Sequence, residues 1–191
     1  TKDDAVYRTR NFGFLKVDGN WINDANSAYF HDNVTKVDLS SPSTEIKGKT
    51  TTNFPSLNLS GKGELRLMTP MAVGGSRGNG LMGQFRVNDV KVYLQGQTLI
   101  INNPQANAIT YQTGGGIISE TNSSLGYGLV QWNIRDGNGG PVFNIPLLNS
   151  SGDDLSLQFI LNNMGGSPND SGYVSIATYP TSDLPAPNNR P

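Results

Sequence analysis

Chemistry in this chain has to come from oxygen and from aromatic rings. Its 191 residues include no cysteine and one histidine, His31, so thiolate nucleophiles are absent and a zinc site would need mostly carboxylate ligands. Two short motifs have the outline of a reactive turn. Gly74-Gly75-Ser76-Arg77-Gly78 fits Gly-x-Ser-x-Gly, the strained strand-to-helix elbow that exposes a nucleophilic serine. No helical pattern follows it, and His31 precedes the serine, whereas that arrangement places the histidine after serine and acid. Gly78-x-Gly80-x-x-Gly83 fits a dinucleotide fingerprint, yet Gln84 to Leu94 alternates as a strand where a helix N-terminus should meet the pyrophosphate. Both motifs read as a glycine-rich loop.

Acid-base hydrolysis of a glycoside needs two carboxyl groups roughly 5 to 9.5 Å apart. Glu45, Glu64 and Glu120 are the only glutamates; the first two fall in a region with no cleft-forming context, and Asp153-Asp154 has the setting of a hairpin turn. Asp18-x-Asn20-x-x-Asn23-Asp24 and Asp136-x-Asn138 gather oxygen ligands, but neither has the alternating ligands and closing glutamate of a calcium loop. Asn and Asp beside Gly are turn formers. No catalytic residue, cofactor or metal is therefore expected. Exposed rings that stack on sugars are the remaining candidates: Trp21, Tyr111 and Tyr127. Trp132 stands in register with Val130 and Ile134 and is expected in the core, whereas Trp21 has no such register and is expected to expose its ring. Five Asn-x-Ser/Thr sequons, at Asn33, Asn58, Asn122, Asn149 and Asn169, are what chance gives in a chain this rich in Asn and Ser.

The elements that must position these groups are strands. Charged residues make up 15% of the chain, with 14 Lys plus Arg against 15 Asp plus Glu, far below the roughly 25% usual for soluble domains. A helical bundle, with its charged outer faces, is disfavoured. The near-neutral balance also lacks the basic stripe that nucleic acid or an anionic membrane attracts, and no apolar run approaches a bilayer span of roughly 18 residues, so a soluble chain is expected, with neither nucleic-acid binding nor membrane insertion. No stretch has apolar residues at helical spacing free of Gly and Pro. Alternation appears instead, at Val37 to Leu39, Leu57 to Leu59, Leu65 to Leu67, Val90 to Leu94, Val130 to Ile134, Leu155 to Phe159 and Val174 to Ile176, as in strands with one wet face. Asp18-Gly19-Asn20, Ser60-Gly61-Lys62-Gly63, Gly114-Gly115-Gly116 and Ser151-Gly152-Asp153 separate them with residues that tolerate positive φ.

By texture the chain divides in four. Residues 1–33 hold scattered aromatics and read as a strand or cap segment. Residues 34–70 carry very short strands, in which Leu57 and Leu59 recur as Leu65 and Leu67. Each buried Leu contributes only about 1.5 to 3 kcal/mol against about 1 to 2 kcal/mol of backbone entropy per ordered residue, so this slender β-repeat region is expected to share its core among several copies. Residues 71–180 have longer strands and more aromatics, enough for a globular antiparallel β-sandwich-like domain. Residues 181–191, rich in proline, read as an extended tail.

The run Thr44-Glu45-Ile46-Lys47-Gly48-Lys49-Thr50-Thr51-Thr52-Asn53-Phe54, followed by Leu57-Asn58-Leu59-Ser60-Gly61-Lys62-Gly63-Glu64-Leu65-Arg66-Leu67, resembles the repetitive segments of tail fibres of tailed bacteriophages. The resemblance implies an extracellular, non-enzymatic virion component. It further implies a parallel homotrimer, joined to other virion proteins, that binds bacterial surface polysaccharide or outer-membrane protein or acts as a rigid spacer. No binding residue carries over by position, and the His-x-His of metal-bearing fibre tips is missing. Threefold association would agree with the slender region, since each layer would receive an apolar group from every chain. The alternatives are a monomeric β-sandwich lectin or bacterial adhesin, a polysaccharide-degrading tailspike domain, and a jelly-roll capsid protein.

Overall fold

The computed structural model describes residues 5–7, 14–25, 28–30, 36–39, 42–61, 63–74, 83–112, 114–120, 126–135, 140–161 and 171–179, and all of its regular structure is β. The strands follow one another in threes. β1 (Ala5–Tyr7), β2 (Phe14–Val17) and β3 (Trp21–Asn23) form a first coil, and β4 (Ala28–Phe30), β5 (Lys36–Leu39) and β6 (Ser43–Gly48) a second. β7 (Thr52–Phe54), β8 (Ser56–Leu59) and β9 (Gly63–Leu67) form the third, and β10 (Met71–Val73), β11 (Phe85–Val87) and β12 (Val90–Tyr93) the fourth. β13 (Thr98–Ile101), β14 (Ile109–Tyr111) and β15 (Gly116–Ile118) make the fifth, and β16 (Leu129–Arg135), β17 (Val142–Ile145) and β18 (Leu147–Leu148) the sixth. β19 (Leu157–Ile160) and β20 (Ser171–Ile176) complete the set.

Through the fifth coil first strands pair with first strands, second with second and third with third, all in parallel, and β16 and β18 of the sixth coil continue the first and third sheets. The result is a β-solenoid with three sheet faces, in which successive coils rise by about 4.8 Å, the spacing of hydrogen-bonded strands. Its C-terminal end reverses direction: β20 lies antiparallel on β16, and β19 antiparallel on β17.

Alternation in each strand sends every second side chain inward, and parallel register then stacks like on like. On the first face Thr52, Met71, Leu99 and Val130 form one column and Phe54, Val73, Ile101 and Trp132 another. The second face stacks Leu57, Phe85 and Ile109, and the third Leu65, Val92, Ile117 and Leu147. No member of these columns is more than 4% exposed. The last coil is sealed by aromatics: Trp132 meets Phe143 edge-on at 5.2 Å, and Phe143 stacks on Phe159 at 4.9 Å. The Trp132 Nε1–H donates to the Asn103 carbonyl at 2.9 Å, so the polar end of the ring is satisfied inside the core.

The all-β expectation holds, but the antiparallel sandwich gives way to parallel coils. Antiparallel pairing among the described strands is confined to the C-terminal end. The expected boundary near residue 70 falls inside continuous sheets, since β10, β11 and β12 continue those of β7, β8 and β9. Leu57, Leu59, Leu65 and Leu67, expected to need partner chains, are at most 1% exposed within one chain. The physical reason is that a solenoid shares its interior between its own coils: Leu57 stacks on Phe85 and Leu65 on Val92, so later strands supply the apolar contacts assigned to other copies. The recurring leucine pair is one coil crossing two faces. The tail 181–191 lies outside the described residues.

Candidate functional site

The glycine-rich turns that separate the strands also shape the largest hollow among those described, a cleft of about 1030 Å³ on the flank of coils four to six. Asp89 and Lys91 come from the β11–β12 turn and from β12, Tyr111 and Gln112 from the end of β14, Gly114 and Gly115 from the turn into β15, and Leu148, Gly152, Asp154 and Ser156 from β18 and the segment after it.

Two glycines let the walls approach. Gly114, at φ +88°, packs where a Cβ would collide with Asp89 Oδ1, and Gly152, at φ +92°, leaves room for the Lys91 ammonium, which a Cβ there would meet at 2.8 Å. Asp89 itself holds φ +57°, in the left-handed region that Asp enters more readily than most residues. The segment after β18 is internally braced. Asn149 Nδ2 donates to Asp153 Oδ2 and the Asp153 N–H to Asn149 Oδ1, both at 2.8 Å. The Ser150 N–H donates at 2.9 Å to Glu120, a carboxylate only 6% exposed. Leu148 and Asp154 then form an antiparallel bridge, which sets Asp154 in the cleft wall.

The cleft wall carries charge of both signs, with Asp89 and Asp154 against Lys91. Hydrogen bonds from the Ser156 side chain and then its backbone hold the Asp154 carboxyl below the usual value of 3.8; the backbone bond, Ser156 N–H to Asp154 Oδ1, is 2.8 Å. Asp154 therefore accepts hydrogen bonds as an ion. In a hydrolytic pair such a carboxyl suits the base or nucleophile and not the acid, which must stay protonated. Tyr111, 44% exposed, supplies an aromatic surface in the same cleft.

Of the three rings singled out from sequence, only Tyr111 reaches this site. Trp21 is buried, a correction to its expected exposure: it lies 8% exposed, packs edge-on to Phe54 at 5.3 Å, and its Nε1–H donates to Thr52 Oγ1 at 3.1 Å. Its alternation partner is Asn23, also buried, so a polar neighbour hid the inward register. Tyr127 is half-buried against Tyr179, ring centroids 4.3 Å apart, and does not line the cleft. Trp132 is fully buried, as its register required.

Asp89 and Lys91 were not singled out from sequence, and Asp154 was read only as part of a hairpin turn. The signal existed only as glycine-rich turns, because Asp89 and Lys91 belong to the fourth coil and Asp154 to the segment after the sixth. Glu45 and Glu64 sit on the outer face of the third sheet, paired with Lys47 at 2.8 Å and Arg66 at 2.7 Å. Arg66 also lies 4.8 Å above the Tyr93 ring, and burial, reinforced by Glu64, holds the Tyr93 hydroxyl above its ordinary pKa. Asn58, a sequon position, is 7% exposed. Most of the elbow and fingerprint motifs, and Asp136-x-Asn138, lie outside the described residues. Among the described residues no three His, Asp or Glu side chains gather to hold a metal.

Compared with protein-family models, with curated proteins and with solved structures, the chain matches none.

Proposed function

We propose that this chain is a non-enzymatic attachment module that binds surface polysaccharide through the cleft on its flank, with the solenoid as a rigid mount. The cleft joining Tyr111 to Asp89, Lys91 and Asp154 carries the reading. A ring offers a face to the C–H side of a sugar, while carboxylates and an ammonium bond its hydroxyls. The walls are preset by β-sheet register and by the braced segment after β18, so little ordering cost falls on binding. The host-attachment fibres that residues 44–67 resemble supply the setting: an extracellular virion rod that contacts bacterial polysaccharide. Association of three chains, implied by that resemblance, would use outer faces of the solenoid instead of a shared core.

The sealed interior favours a second reading, in which the same cleft serves a monomeric glycan-binding lectin or adhesin. Sedimentation velocity separates the two, a trimer supporting the fibre and a concentration-independent monomer the lectin. For either, the intact chain is screened against an array of bacterial surface polysaccharides. Tyr111→Ala should weaken the best ligand by up to roughly tenfold, the loss of about 0.5 to 1.5 kcal/mol of stacking, with unchanged thermal unfolding. An array with no response, or responses indifferent to Tyr111, Lys91 and Asp154 substitutions, would remove the cleft from consideration.

A further inference from the structure

A second hollow, of about 330 Å³, opens on the outer side of the first sheet, with Asn102, Pro104, Asn133, Arg135 and Tyr173 among its walls. None of these residues lines the larger cleft, and the chemistry differs. Asn133 and Tyr173 are register partners on β16 and β20, so their side chains emerge side by side on one face. Arg135 lies two residues beyond Asn133 on β16, on that same face. Tyr173 is 65% exposed.

Three features of this hollow suit one ligand. The first is a preset amide row. Gln131 Nε2 donates to Asn133 Oδ1 at 3.1 Å, Asn133 Nδ2 to Asn102 Oδ1 at 2.7 Å, and Asn102 Nδ2 to Asn53 Oδ1 at 3.4 Å. Each amide nitrogen has two hydrogens, so the row fixes the orientation of Asn102 and Asn133 and leaves each a second N–H for a ligand. The second is the Tyr173 ring, a stacking surface wide enough for one sugar. The third is charge: Arg135 lines the hollow and, among the described residues, no carboxylate does, and the ion pairs among those residues lie elsewhere, on Lys47 and Arg66. A guanidinium in that position matches a carboxylate with two parallel hydrogen bonds.

We propose that this hollow is a binding site for an acidic sugar, a uronic-acid unit of a polysaccharide, with its ring on Tyr173, its hydroxyls on the Asn102 and Asn133 amides and its carboxylate on Arg135. The larger cleft, with Asp89 and Asp154 against Lys91, repels that charge. The two sites thus divide the chemistry of a chain built from neutral and acidic sugars. Their separation on different faces lets one polymer engage both by wrapping, with a gain from effective concentration.

The test titrates the intact chain with tetragalacturonate, and with maltotetraose as the neutral counterpart, by calorimetry. The wild-type chain should prefer tetragalacturonate, with a preference that shrinks as salt rises. Arg135→Gln should cost tetragalacturonate about tenfold or more while Arg135→Lys retains part of the affinity, and Tyr173→Ala should weaken both sugars. Both side chains are exposed, so unchanged thermal unfolding checks each variant. Tyr111→Ala should leave tetragalacturonate affinity alone. The proposal is overturned by no preference for the acidic sugar, by no binding at millimolar concentration, or by an Arg135→Gln variant that binds as wild type. Loss of tetragalacturonate binding in Tyr111→Ala would also overturn it, while placing the acidic sugar in the larger cleft. Failure of the cleft reading alone, with Tyr111 silent on the array, leaves the Arg135 result standing.

Discussion

The middle coils and the C-terminal end of this chain solve the same burial problem in opposite ways. In coils three to five, parallel register places a coil above and below each inward residue, so aliphatic side chains of moderate size reach essentially complete burial with nothing larger than Phe54 and Phe85. The last coil has no successor. It is closed by Trp132, Phe143 and Phe159 from inside, and by β19 and β20 running against the strand direction outside. Antiparallel strands at the end cover the exposed ladder and offer no parallel template for another coil. The cost shows in what stays wet: Leu155, Leu157, Ile160, Tyr173 and Tyr179 are 39% to 65% exposed. Both candidate binding surfaces draw walls from where winding gives way to the cap, at β18 for the cleft and at β16 and β20 for the Arg135 hollow. The two larger hollows thus lie where the regular pattern breaks.

The largest effect should come from the junction itself. Trp132→Ala removes two ring contacts and the bond to the Asn103 carbonyl, and should cost about 3 to 5 kcal/mol in urea unfolding. Tyr173→Ala, on the strand that pairs with Trp132's own, should change stability by no more than about 0.5 kcal/mol. Comparable losses for both would erase the distinction between coil and cap.

Next in size is Leu65→Ala, expected to cost about 2 to 5 kcal/mol, against about 0.5 kcal/mol for Leu157→Ala, a leucine 39% exposed. At concentrations where sedimentation shows a monomer, the wild-type chain should still unfold cooperatively with Leu65 contributing in full, because Leu65 packs on its own chain's Val92. A midpoint that climbs with concentration would mean that partner chains share in its stability.

A smaller effect of opposite sign is expected at Thr44. Its side chain points into the column above Leu65, 2% exposed, with no hydrogen-bond partner for Oγ1. Thr44→Val removes an unsatisfied buried hydroxyl and should raise the midpoint, by about 1 kcal/mol equivalent. A drop would mean that the hydroxyl is bonded in solution, and the coil interior would then be less dry than its columns indicate.

How much of this was legible follows from the same contrast. Alternation at Leu57 to Leu59, Leu65 to Leu67, Val90 to Leu94 and Val130 to Ile134 identified strands and their inward faces, because period two is local. Parallel winding is not local. The residues in backbone register along the first sheet, Ala5, Ala28, Thr52, Met71, Leu99 and Val130, are separated by segments of unequal length, so no fixed period marks the coil. Without that period, short strands with one or two apolar residues looked too poor to close a core, and the missing contacts were assigned to other chains. The candidate sites were hidden for the same reason. Tyr111 was visible as a single ring, whereas Asp89, Lys91 and Asp154 become neighbours only once three coils are stacked.

The smallest predicted effect lies on the cap side and is electrostatic. Asp154 is fully exposed, and its carboxyl is held below 3.8 first by the Ser156 side chain and then by the Ser156 backbone. A carboxyl depressed in the folded chain adds stability that is present above its ordinary value and lost as pH falls through the depressed one, so the window lies on the acid side of 3.8. Solvent screens an exposed group, and thermal unfolding near neutral pH should not register it. The titration of the carboxyl carbon by NMR should. Ser156→Ala deletes the hydroxyl but keeps the backbone donor at 2.8 Å, so the Asp154 midpoint should move up toward 3.8 and stop short of it. A midpoint that does not move would show that the backbone alone holds the carboxylate, and the Asp154 wall of the cleft would owe its ionised state to the turn after β18 and not to the serine that follows it.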